Sequence, residues 1–96
     1  MVAVGTLRQA KRVGPQLPPG FEERRARYLI DLARALSARR RDVEAVRALL
    51  EAERAVPEEV RTHRLTRSVL IDLIGRERRG AVPELRPLAR RCGALA

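Results

Sequence analysis

The chain has 96 residues, enough for one domain with a modest core and too few for a deep catalytic pocket. Phe21 and Tyr28 are its only aromatics, so Leu, Val, Ile and Ala must build that core, which suits helices and argues against a sandwich. The formal net charge of +9 rests on 20 Arg and one Lys, Lys11; it points to a nucleic-acid partner or to an arginine-for-lysine bias of GC-rich base composition.

Residues 2–13 are expected to form a short leading helix with Ala3, Leu7 and Ala10 on one side, ended by Gly14-Pro15. Residues 15–20 hold three prolines and a glycine and cannot continue a helix. Leu17 is read there as an anchor for the core. The next helix runs from Phe21 to about Arg39, with Phe21, Tyr28, Leu29, Leu32, Ala33 and Leu36 inward and Ile30 on the flank. Glu22 and Glu23 suit its positive end, and Arg39, Arg40 and Arg41 its negative end.

Asp42 is predicted to cap a helix reaching about Ala55, with Ala45, Val46, Leu49, Leu50 and Ala52 inward. Small residues at 33, 45 and 52 let this pair approach closely as an antiparallel hairpin spanning 21–57. Pro57 stops that helix and, with Glu58 and Glu59 behind it, opens a short one to His63. Leu65, Val69, Leu70, Leu73 and Ile74 make a helical stripe over Leu65 to about Arg79. A turn at Gly80-Ala81-Val82 follows. A last helix opens near Pro83-Glu84, carries Leu85, Leu88 and Ala89 inward and ends at Gly93. No stretch alternates with period two, so the expectation is all-α: a single domain over 1–96 with four to five helices, its C-terminal helices over 58–96.

Chemistry-bearing motifs are sparse. One His and one Cys cannot build a conventional Cys/His metal site, and a Cys92–His63 dyad has nothing beyond its presence in favour. There is no phosphate-cradling glycine loop, no cofactor is expected, and no catalytic function is read. No apolar run is long enough to span a membrane, and the N-terminal charge follows the short apolar stretch instead of preceding it, so a soluble, cytoplasmic protein is expected. Leu85 to Gly93 has the outline of a first helix and turn glycine of a DNA-reading helix-turn-helix; a helix that covers the last exposed apolar face is the simpler reading.

The order Leu29-Leu32-Ala33-Leu36-Ala45-Leu49-Ala52-Pro57 resembles the tetratricopeptide repeat, a helix–turn–helix unit of about 34 residues. Leu29 stands where that family favours Trp, and Arg40 where it favours Gly at the turn. Ala3-Leu7-Ala10-Pro15 matches Ala45-Leu49-Ala52-Pro57 at an interval of 42 residues, as half of such a repeat. Over roughly residues 14–94 the pattern of FEERRARYLIDLARALSARRRDVEAVRALLEAERAVPEEVRTHRL and PELRPLARRCG resembles the C-terminal region of actinobacterial Xre-type helix-turn-helix transcriptional regulators. That resemblance implies a tetratricopeptide-like region for oligomerisation or sensing, here without the DNA-binding domain. It further implies a partner-binding face on the first helix of the hairpin, with Arg27, Ile30, Arg34 and Ser37, suited to an acidic peptide or carboxylate. The partner would be a protein or peptide: a regulator of the same family or a second copy in a homo-oligomer. The alternative is a small basic nucleic-acid-binding protein using Arg39, Arg40 and Arg41.

Overall fold

The computed structural model describes residues 17–96, so the leading helix and the half-repeat expected before Pro15 lie outside the described residues. Within them the protein is all-helical. Helix α1 spans Phe21–Ala38, α2 Asp42–Ala55, α3 Pro57–Thr62, α4 Arg64–Arg76 and α5 Leu85–Arg91. No strand forms among the described residues.

Helices α1 and α2 make the expected hairpin, and it is the most extensive helix pairing among the described residues. Ala26, Ala33, Ala45, Ala48 and Ala52 are buried along it, and Leu29, Val46 and Leu49 fill the space the small residues leave. Helix α4 packs on α1 from another side, and α5 packs on α4. One core joins all five helices, with Val60, Val69, Leu70, Leu73, Val82, Leu85, Leu88, Ala89 and Cys92 continuing it.

The hairpin turn is a Schellman motif. The Arg41 amide donates to Leu36 O at 2.9 Å and the Arg40 amide to Ser37 O at 3.0 Å. Arg40 takes φ 62, the left-handed conformation that glycine occupies without cost. The C-terminus of α5 closes the same way: Ala94 N donates to Ala89 O at 2.8 Å, with Gly93 at φ 73. Pro87 is the third residue of α5, among the first amides that have no intrahelical acceptor, so its ring costs no hydrogen bond.

Several expectations need correction. Leu17 and Tyr28 are exposed instead of inward, and Phe21 is only half-buried. Asp42 does not cap α2, because its carboxylate is drawn to Arg76. Helix α4 stops at Arg76, three residues short of the expected end. Glu77 adopts extended backbone (φ −68, ψ 135) and turns its carboxylate inward, where Oε2 accepts from the Val82 amide at 3.3 Å.

Candidate functional site at the arginine-rich end

The four residues expected to line a partner-binding face do not form one. Ile30 is 1% exposed and Ser37 5%. The reason is that α1 is covered on two sides, by α2 and by α4, so its apolar stripe is wider than a single hairpin requires. Ser37 is also committed: both its Oγ and its carbonyl accept from Arg76 Nη2, at 2.9 and 3.0 Å. Arg27 reaches 3.7 Å from the Glu59 carboxylate on α3. Of the set, Arg34 stays an exposed surface cation with no ion pair among the described residues.

The fold instead brings together two arginine clusters far apart in sequence, Arg39-Arg40-Arg41 and Arg76-Arg78-Arg79. Arg76 is the link. Its Nη2 spans from the end of α4 to Ser37 and to Asp42 Oδ1 at 2.8 Å, on either side of the α1–α2 turn. Thus the turn that carries Arg39, Arg40 and Arg41 sits against the loop that carries Arg78 and Arg79. Arg41 pairs with Glu44, the next turn up α2. Glu77, with a buried carboxylate, lies 3.3 Å from Arg86 Nε and braces the α4–α5 loop. Arg39, Arg40, Arg78 and Arg79 are exposed, and no ion pair reaches them among the described residues.

Between turn and loop lies a half-open cleft of about 280 Å³ lined by Arg40, Arg76 and Arg78, by Asp42 and Glu77, and by Val43, Leu73, Ala81, Val82 and Leu85. Its volume lies near the lower limit of ligand-sized pockets, roughly 300–1,000 Å³. It holds a side chain or two, not a whole dinucleotide. Arg76 Nε and Glu77 Oε1, both buried in its wall, have no hydrogen-bond partner among the described residues. A second, shallower depression lies at the far end of the hairpin between Glu22, Arg25, Glu51 and Arg54, where Arg25 and Glu51 already pair with each other.

A second buried carboxylate lies on α2, with no local signal for it in the sequence. Glu53 on α2, 9% exposed at its side chain, accepts from Arg91 on α5 through Nε and Nη2, both at 2.8 Å, and from Arg61 Nε on α3 at 2.9 Å. The Arg91 hydrogen bonds hold the Glu53 carboxyl below its ordinary range; burial pushes it the other way and is outweighed with the help of Arg61. Cys92 is buried nearby, and burial, followed by the Glu53 charge, pushes its thiol up. That is opposite to the shift an activated nucleophile needs. His63 caps α4, its Nδ1 accepting from the Leu65 amide at 3.1 Å.

Compared with known protein families, curated proteins and solved structures, the chain matches none. Its class rests on the fold alone, a small all-helical bundle built on one hairpin. Among the described residues no group of three or more metal-ligating side chains comes together, and no helix is long and apolar enough to cross a membrane.

Proposed function

We propose that the protein is a non-catalytic helical interaction module, regulatory in the manner implied by its resemblance to the C-terminal regions of Xre-type regulators. One observation carries this reading. The ion pairs of Asp42, Glu53 and Glu77 hold the scaffold together, whereas Arg39, Arg40, Arg78 and Arg79 at one end pair with no acid among the described residues. Arginine forks recognise carboxylates in bidentate fashion, and an exposed cluster of them at a built cleft suits an acidic protein surface. Sedimentation of the purified chain, alone and with a regulator encoded beside it, tests the proposal. Self-association or a defined complex is expected. A strict monomer that binds no such regulator would count against it.

A second reading has the same arginines gripping nucleic acid, favoured by the convergence of two clusters on one end. Four phosphate contacts would give a slope of about −3 to −4 for log affinity against log salt. Absence of any mobility shift at low salt eliminates it.

A further inference from the structure

We infer that the cleft between the α1–α2 turn and the α4–α5 loop binds an acidic peptide segment bearing an aliphatic side chain. Its carboxylates lie on Arg40 and Arg78, and its side chain sits against Val43, Ala81 and Val82. This deepens the interaction-module reading and rests on it.

Four features point the same way. First, the cleft combines a cationic rim with an apolar floor. A phosphate backbone has no use for that floor, and no aromatic residue lines the cleft on which a base could stack. A peptide that alternates carboxylate and aliphatic groups uses both. Second, the acids within the cleft are neutralised: Asp42 pairs with Arg76 at 2.8 Å and Glu77 faces Arg86 at 3.3 Å. An incoming carboxylate therefore meets cations without an unpaired acid beside them. Third, the walls are preorganised. Arg76 ties the turn to α4 through Ser37 and Asp42, and Glu77 ties the loop to Val82, so little ordering remains to be done on binding.

Fourth, Arg40 occupies a position where an arginine is strained. At φ 62 the left-handed backbone is unfavourable for a side-chain-bearing residue, and glycine would relieve it. Strain kept at the rim of a cleft is explained if the guanidinium serves there.

The test uses fluorescence anisotropy on the full chain with a labelled Asp-Glu-Leu-Glu-Asp peptide. Three competitors accompany it: Asn-Gln-Leu-Gln-Asn, Asp-Glu-Gly-Glu-Asp and a short DNA duplex. The acidic leucine peptide should bind about tenfold more tightly than either altered peptide, the equivalent of one charge-assisted hydrogen bond or one buried side chain. Arg40→Gly should weaken binding about tenfold while raising Tm by about 4–8 °C, so loss of affinity is not loss of fold. Val43→Asp, at an exposed position, should weaken it similarly. If the peptide binds and neither substitution matters, the cleft assignment is overturned while the interaction reading stands. If only the duplex binds, both fall and the nucleic-acid reading replaces them. If neither probe binds, the inference is overturned.

Discussion

Replacing Glu53 with glutamine isolates the buried clasp. Glutamine keeps the shape and one acceptor oxygen but loses the charge, and its amide NH2 faces a guanidinium. The native carboxylate takes three hydrogen bonds from Arg61 and Arg91. Hydrogen bonds to charged groups are worth about 1.5–3 kcal/mol each. Two considerations reduce the sum. The two arginines are 41% and 40% exposed and regain water when released, and the desolvation of the buried carboxylate disappears with its charge. The expected loss is on the order of 2–3 kcal/mol, or roughly 10–20 °C in Tm for a domain of this size. Circular dichroism melts of Glu53→Gln against the parent chain measure it.

The same change should alter the acid limb of stability. Because the folded-state carboxyl titrates below its unfolded value, its contribution is fully present above the ordinary carboxylate range. It is lost as pH falls through the lowered folded-state value. Denaturant unfolding at a series of pH values from neutral to strongly acid should therefore show a shallower decline in the variant. An Arg91→Gln change in the Glu53→Gln background should then cost much less than in the parent, the mark of a coupled pair. A loss under about 0.5 kcal/mol, with the acid limb unchanged, would refute the clasp as a source of stability.

Other substitutions separate buried from surface roles. Leu49→Ala, at a fully buried site, should cost about 2–5 kcal/mol, and Leu32→Ala, only half-buried, clearly less; urea denaturation midpoints give both. Cys92 should resist alkylation at mildly alkaline pH in the native protein and react once unfolded, because burial and the Glu53 charge both disfavour its thiolate; mass spectrometry after timed iodoacetamide treatment reads this. His63→Ala should remove the side-chain cap of α4 and cost about 0.5–1 kcal/mol, visible as a small fall in Tm.

The helices were largely legible from periodicity. The stripe through Leu65, Val69, Leu70, Leu73 and Ile74 and the small residues of the hairpin specify which faces turn inward. Even the position of Arg40 carried a signal, since the repeat pattern favours glycine there and the backbone is left-handed. What stayed hidden depends on more than one neighbour at a time. Ile30 reads as a flank residue when α1 has one partner and becomes core because α4 is a second. Glu53 carries no signal of its own, since nothing local says that Arg91, 38 residues later, will fold over it. Likewise the convergence of the two arginine clusters rests on the reach of Arg76 across 39 residues to Ser37. The face assigned to Arg27, Ile30, Arg34 and Ser37 failed for the same reason: it assumed a hairpin open on the side that α4 covers.

Helix α2 is fastened near both ends, at Asp42 by Arg76 of α4 and at Glu53 by Arg91 of α5. Between those points its inner face is mostly alanine, with Ala45, Ala48 and Ala52 against α1. Alanine ridges are shallow and resist axial sliding poorly, so apolar packing alone would allow neighbouring registers of similar energy. The two ion pairs tie α2 to α4 and to α5, adding to the alignment set by the hydrogen-bonded α1–α2 turn. Replacing Asp42, Arg76, Glu53 and Arg91 together with apolar residues of matched size should therefore preserve helicity and even thermal stability. It should also broaden the methyl NMR resonances of Val46 and Leu49 as alternative registers exchange. Sharp, single resonances in that variant would show that the alanine face fixes its own alignment.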